Sequence, residues 1–338
     1  MKLKKNDLFM GIYILAAVLF FIISIPSWLL DILLAFNIMV ALVILFNSLY
    51  AKEVLDMAAF PTMLLFTTIF RISLNVSSTK LILRDGYAGN VVATFGKFVG
   101  GGNLVIGTII FIVLIIVQFI VINKGSERVS EVTARFTLDA MAGKQMAIDS
   151  DLNTGAITDK EAAERRKKLQ QENSFFGSMD GATKYVKGDA TAGLIITAIN
   201  LVGGIAMGMM YQGLSINEAL STYAILTIGD GLCSQIPSRL ISLSTGMLVT
   251  KASSEGDLGG EMVGQLFSMD RVLIMVGAAL TLLGVATPLP IYIFVPLGVA
   301  LIIYGRKLKD KTGEATIEEM AEAEETEGQE EIRPASHE

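Results

Sequence analysis

Only one cysteine, Cys233, and one histidine, His337, occur among 338 residues. A single cysteine excludes a disulfide framework or a cysteine-rich metal site. A single histidine, second from the end, leaves no histidine triad and no His-ligated centre, so neither a metal site nor a cofactor is expected. Charge is also scarce. Asp, Glu, Lys and Arg make up 18% of the chain, against about 25% in ordinary soluble domains. The net charge of −6 argues against a generally basic nucleic-acid binder, so no nucleic-acid partner is expected. No nucleophile–base pair or metal constellation is present, and an enzyme is the least expected class.

Apolar sequence is abundant: 52% of residues are hydrophobic and the mean hydropathy is +0.57. A bilayer core about 30 Å thick needs roughly 20 apolar residues as helix. That criterion selects eight segments, at about 8–25, 29–49, 60–82, 104–122, 191–211, 222–249, 271–288 and 290–304. The expected fold is an all-α polytopic membrane protein with about eight transmembrane helices and a small cytoplasmic loop domain. Its divisions are 1–122 (helices 1–4), 123–190 (the loop domain), 191–305 (helices 5–8) and 306–338 (an acidic linker or tail). Lys2, Lys4 and Lys5 resemble a signal-peptide n-region. No small-residue cleavage site follows, and Pro26-Ser27-Trp28 leads straight into the next span, so the first segment reads as a retained anchor. The last two segments share the Thr287-Pro288-Leu289-Pro290 turn and are short enough for either two spans or a re-entrant pair. Lys and Arg are concentrated in the segments that face inside when both termini do. Only Arg84 and Lys97 then fall in outside connections, which places both ends in the cytoplasm.

The 123–190 segment balances its basic and acidic residues, so it is not a charged arm. Thr158 and Glu161 have the spacing of a capping box, predicting a charged helix from there through about Gln171. Residues 312–338 carry ten glutamates against Arg333 alone, the composition of a solvated tail. Met141 to Gln145 suggests a phosphate loop, but Leu138 and Gln145 stand where that motif needs Gly and Ser or Thr. Asp149 to Asn153 begins like a calcium loop, but Gly155 comes one place late and Lys160 replaces the bidentate Glu; a turn with Asx capping fits better. Gly100-Gly101-Gly102 reads as a flexible turn.

Ionisable residues inside the apolar segments carry the most information, since each costs roughly 2.5–3.5 kcal/mol at mid-bilayer and must face protein or water. Thr67, Arg71, Asn75 and Ser78 share one helical stripe. Lys80 lies on the opposite side and either snorkels outward or marks a helix break near Ser77-Ser78. Lys184, Lys187 and Asp189 open the fifth segment, where Asp189, Gly193, Asn200 and Gly204 share a face. Helix capping and interface anchoring explain that cluster as well as function does. In the sixth segment, Asp230 between Gly229 and Gly231 precedes Pro237 and Arg239, suggesting an acid beside a helix break, as in ion-coupled transporters. Asp31 reads as an interfacial anchor.

Residues 131–155 closely resemble the signature of the FHIPEP family, the export-gate family of flagella and type III secretion systems. Within it stand Arg135, Phe136, Asp139, Gly143, Lys144, Gln145, Asp149 and Asp151. The likeness extends in order through Phe60-Pro61-Thr62 to Lys80, Met179-Asp180-Gly181 to Gly193, and Thr227 to Pro237. The wording around Asp149 and Asp151 is similar to the flagellar branch. This resemblance implies a multi-pass inner-membrane subunit that forms a homo-oligomeric ring, a nonamer, and uses the proton motive force to export unfolded flagellar proteins. It implies as partners other export-gate and basal-body membrane proteins, and the export ATPase complex and chaperone–substrate complexes mainly through a large C-terminal cytoplasmic domain. The chain stops in the acidic linker, so that domain has been truncated or is supplied separately. The family's functional charges would fall on Lys80, Lys184, Asp189 and Asp230, with Lys80 standing for Arg, Ala142 for Pro and Arg239 for an apolar residue. Competing expectations are a small-molecule ion-coupled transporter and a non-conducting assembly scaffold whose charges only pair protomers.

Overall fold

In the computed structural model every described element is a helix, and the description covers residues 5–100, 104–118, 120, 124–251, 263–264, 266–287 and 290–308. The helices are α1 (Lys5–Ile22), α2 (Ser27–Tyr50), α3 (Phe60–Asp85), α4 (Asn90–Gly100), α5 (Leu104–Val117), α6 (Lys124–Asn153), α7 (Asp159–Tyr211), α8 (Ile216–Thr250), α9 (Asp270–Ala286) and α10 (Ile291–Leu308), with a 3-10 turn at Val54–Met57. This is an all-α membrane protein. Among the described residues, four helical stretches are long and apolar enough to cross a bilayer: Ser27–Tyr50, Val54–Asp85, Asp159–Tyr211 and Ile291–Leu308. Gly11–Ile22 and Val105–Val117 are apolar but shorter. The expected segment 222–249 lies in α8, which has length to spare but keeps its polar residues inside the protein. The expected tail 312–338 and the glycines 101 and 102 lie outside the described residues.

The chain divides into two units, residues 1–257 and 258–338. In the first, α8 is the hub and packs against α2, α3, α4, α5, α6 and α7, while α3 lies along α7 and α1 along α3. One apolar cluster gathers Leu30, Leu34, Phe70, Leu74, Leu81, Tyr223 and Cys233. A second joins the helical ends to the loop segment through Ile44, Met57, Phe60, Phe175, Met179, Ile241 and Leu248. In the second unit α9 and α10 cross where Gly277 meets the Gly298 carbonyl. A Cβ on Gly277 would stand 2.6 Å from that oxygen, the close approach that small residues permit between apolar helices.

Three local expectations change. The charged helix that begins at Thr158 does not stop near Gln171, because α7 runs unbroken for 53 residues to Tyr211, a length of roughly 80 Å at 1.5 Å per residue. The boundary at 190/191 therefore falls inside a helix: composition changes there, but the backbone ladder does not. The capping box is formed, with the Thr158 hydroxyl accepting from the Glu161 N–H and the Glu161 carboxylate accepting from the Thr158 N–H at 2.8 Å. It holds the Glu161 carboxyl below the ordinary glutamate range, chiefly through that backbone N–H. Residues 149–153 belong to α6 rather than to an Asx turn; the chain turns at Gly155, whose φ is +74°.

α8 is likewise helical through Pro237. Gly229 and Gly231 make room for neighbours instead of breaking it. A Cβ on Gly229 would overlap the Val92 carbonyl of α4, and one on Gly231 would stand 2.5 Å from the Phe111 ring of α5. α4 itself arose where an outside connection was expected. Asp31 caps it, accepting from the Asn90 and Val91 N–H groups at 2.9 Å each, and Gly89 at φ +104° lets the carboxylate approach. Asp31 is thus a helix cap, where a negative charge meets the positive end of the α4 dipole.

Candidate functional site

The polar stripe of α3 faces inward as a unit: Thr67, Arg71, Asn75 and Ser78 are all buried. α3 runs unbroken past Ser77-Ser78 because each hydroxyl of that stretch is absorbed locally or by a neighbour; Ser78 donates to the Asn75 carbonyl and Ser77 to the Phe20 carbonyl of α1. Arg71 reaches α7, where its Nη2 donates to Asp189 Oδ2, and the pair is closed off from solvent with side chains 2% and 4% exposed. About three helical turns further along the same face of α7, Asn200 is fully buried and its Nδ2 donates to Asp230 Oδ2 of α8 at 2.8 Å. Both acids therefore bear on α7: Asp189 stands on it, and Asp230 is held by its amide.

These two contacts differ in kind. Asp189 faces a guanidinium, while Asp230 faces a neutral amide and has no ion pair among the described residues. Several polar atoms nearby are buried without a hydrogen bond: Arg71 Nε and Nη1, Asp189 Oδ1, Asn200 Oδ1 and Ser238 Oγ. A cavity of about 30 Å³ lies against Asp189, with Asn75, Thr197, Ser234, Gln235 and Ser238 on its walls. One water requires about 10–15 Å³ of such volume, so this space accommodates one or two waters between Asp189 and Ser238. An unpaired buried polar group costs about 1–3 kcal/mol. The cluster of orphaned atoms is a concentrated local cost at the junction of α3, α7 and α8.

The other sequence-selected charges lie elsewhere. Lys80 donates to the Phe21 and Ile22 carbonyls at 2.5 and 3.2 Å, closing the C-terminal end of α1, where a cation complements the dipole. Lys184 pairs with Asp180 at 2.7 Å on an exposed face of α7. Lys187 is exposed and shares a surface depression with Lys124, Arg128 and Glu131. Arg239 ties α8 to the end of α5: Nε donates to Gln118 Oε1 at 3.0 Å and Nη2 to the Leu114 carbonyl at 3.3 Å. Gln118 carried no signal of this role, because its partner lies 121 positions away.

The signature residues form a helical hairpin of α6 and the first part of α7, closed by Ile148, Ile157 and Ala162. Asp149 pairs with Arg166 at 2.6 Å, Asp151 with Arg165 at 3.2 Å and Lys144 with Glu172 at 3.5 Å, each bridging the two arms. Exposed pairs of this type contribute about 0–1 kcal/mol each; here they set the register of the arms. Arg135, Phe136 and Asp139 point outward, Gly143 stands in open space and Gln145 is half-buried. The hairpin is fastened to the rest of its unit by Lys168, which meets Glu53 at 2.7 Å. That carboxylate raises the Lys168 ammonium above the ordinary lysine value.

The chain matches the FHIPEP family over residues 17–338. It is 48% identical over 341 residues to the flagellar biosynthesis protein FlhA of Bacillus subtilis, covering 99% of this chain and 50% of that protein. It is 48% identical over 296 residues to FlhA of Salmonella typhimurium, covering 86% and 43% respectively. The low calcium response locus protein D of Yersinia pestis is 45% identical over 310 residues, 91% of this chain and 44% of that protein. The chain thus spans about half the length of these relatives. No solved structure matches it. With a family match along nearly the whole chain and relatives 45–48% identical over 86–99% of it, this protein belongs to the FHIPEP family.

Proposed function

We propose that this chain is the membrane half of a flagellar type III export gate that couples the proton motive force to the export of unfolded flagellar proteins. The names of its FlhA relatives support the flagellar setting. The distribution of Lys and Arg supports a multi-pass protein of the bacterial inner membrane with both termini in the cytoplasm. Its partners are further copies of itself in a ring and the other membrane proteins of the export gate and basal body. The export ATPase complex and chaperone–substrate complexes complete the proposed partners.

The observation that carries the mechanism is the continuity of α7. One helix holds Asp189, grips Asp230 through Asn200, and continues into the hairpin. Asp230 is the acid that takes up the proton, because no cation pairs with it among the described residues. Neutralising it weakens the charge-assisted bond from Asn200, which is about twice as strong as its neutral counterpart. Asp189 and Arg71 form a closed buried pair, and removing either partner would leave the other charge uncompensated, a cost of about 3–5 kcal/mol. Proton uptake thus loosens one hold of α8 on α7 while the Arg71 pair keeps α7 on α3, and the helix transmits the shift to the hairpin. Arg71, rather than Lys80 or Lys184, is the basic neighbour in this scheme.

A cavity of about 30 Å³ beside Asp189 suits water and is far below the roughly 300–1,000 Å³ of small-molecule sites. That disfavours a small-molecule transporter. Pairing of Arg71 with Asp189 inside one chain disfavours a scaffold whose charges only join protomers. The test is export of flagellar proteins, with proton conductance, in cells carrying Asp230→Asn or Asp189→Asn at wild-type protein level. Loss of both readouts is expected. Unchanged flux in Asp230→Asn overturns the acid-relay role, and lost ring assembly with intact conductance supports the scaffold instead.

A further inference from the structure

The last residue of the first unit's described part, Lys251, directly follows α8 and is 5% exposed, and its Nζ is buried with no hydrogen-bond partner among the described residues. A buried ammonium without a counter-charge is costly unless something anionic meets it. Lys251 lines a cleft of about 730 Å³ between the α2–α3 connection, the end of α8 and the hairpin. Three further lysines line it: Lys52, Lys144 and Lys168. Two acids face them, but Glu53 is engaged by Lys168 and Glu172 by Lys144. Asp56 turns its carboxylate to the backbone N–H groups of Lys52 and Glu53 at 2.8 and 3.0 Å and, without an ion pair to either, also feels the charges of Lys251 and Lys52. Among the described residues, four lysines against Glu53, Glu172 and Asp56 leave the cleft with an excess of positive charge.

The rest of the wall is mixed: Thr133, Thr137 and Thr250 stand beside Val54, Leu55, Phe176 and Val249, of which Val54 and Leu55 are only half-buried. We propose that this cleft binds the phosphate headgroup of an anionic phospholipid, with Lys251 and Lys52 on the phosphate and the apolar part of the wall against the upper acyl chains. A free phosphate would satisfy the ammonium groups but leave the half-exposed Val54 and Leu55 uncovered. The position agrees, since the cleft lies where α2 and α8 end. A basic pocket between helix ends at the cytoplasmic surface is where anionic headgroups bind. Assignment to the cytoplasmic leaflet rests on the orientation proposed above; binding itself does not.

The test is thermal unfolding of the full chain in non-ionic detergent, titrated with phosphatidylglycerol, phosphatidylcholine or inorganic phosphate. Phosphatidylglycerol is expected to raise Tm saturably, and phosphatidylcholine and inorganic phosphate to raise it little. Lys251→Met is expected to leave the lipid-free Tm unchanged or higher, since an unpaired buried charge is gone, and to weaken phosphatidylglycerol binding at least tenfold. Lys160→Gln, on the exposed first turn of α7, should bind as the wild type does. If Lys251→Met does not fold, Lys52→Gln at the exposed rim replaces it, with an expected loss of about threefold. An equal phosphatidylglycerol response in wild type and cleft variants overturns the proposal. So does a phosphatidylcholine response equal to it, or inorganic phosphate reproducing the whole effect. Proton conductance plays no part in this readout, so it succeeds or fails independently of the acid relay.

Discussion

Replacing Arg71 and Asp189 singly and together separates what their ion pair does for stability from what it does for coupling. The two side chains are 2% and 4% exposed. Removing either leaves the other charge buried, at a cost of about 3–5 kcal/mol. Replacing both by apolar residues of similar volume, as in Arg71→Met with Asp189→Leu, removes both charges and the orphaned Arg71 Nε, Arg71 Nη1 and Asp189 Oδ1 together. Such replacements are often neutral or stabilising by about 1–4 kcal/mol. Each single variant should therefore be destabilised by about 3 kcal/mol or more, while the double variant returns to the wild-type value or exceeds it. Denaturant unfolding of the detergent-solubilised chain reads the cycle, with export by the double variant as the functional arm. The double variant should be stable and inactive. Additive single effects would show that the two groups do not depend on each other, and the account of α7 being held to α3 by charge would fail.

Smaller perturbations test the surrounding geometry. Gly229→Ala forces a Cβ into the Val92 carbonyl and should cost about 1–3 kcal/mol, as overpacking does; an unchanged unfolding midpoint would mean that α4 does not cross α8 there. Asp31→Ala removes the cap from both the Asn90 and Val91 N–H groups and should cost about 0.5–2 kcal/mol, with faster hydrogen exchange confined to the first turn of α4. The Glu161 carboxyl is held below its ordinary range, so its contribution is complete above the unfolded glutamate value and is lost as pH falls through the lowered folded value. Amide protection in the first turn of α7 should fall on acidification, and Glu161→Gln, which retains the capping geometry, should flatten that dependence. The same acid response in both proteins would remove Glu161 from the explanation.

The polar stripe of α3 was legible because four residues at helical spacing leave little choice of face once an arginine must avoid lipid. Its partner was not, since 118 positions separate Arg71 from Asp189 and nothing local encodes that meeting. Asn200 stood on the stripe that contained Asp189, yet its bond to Asp230 depends on how α7 and α8 cross. The length of α7 escaped for a different reason. Hydropathy shifts sharply near residue 190, and composition was read as a boundary although the hydrogen-bond ladder crosses it. Glycine and proline in α8 were read as weakening a helix, whereas tertiary packing uses the glycines for close approach to α4 and α5. The capping box at Thr158 was recoverable because its donors and acceptors lie three residues apart.

The central claim is that Asp230 exchanges a proton and that α7 responds. Infrared difference spectroscopy of the membrane-reconstituted chain, recorded while pH is stepped, observes that carboxyl directly. A carboxylic acid band that appears and disappears with pH, is absent in Asp230→Asn and is accompanied by an amide change removed in Asn200→Ala is the predicted result. A spectrum identical in wild type and Asp230→Asn would contradict the account.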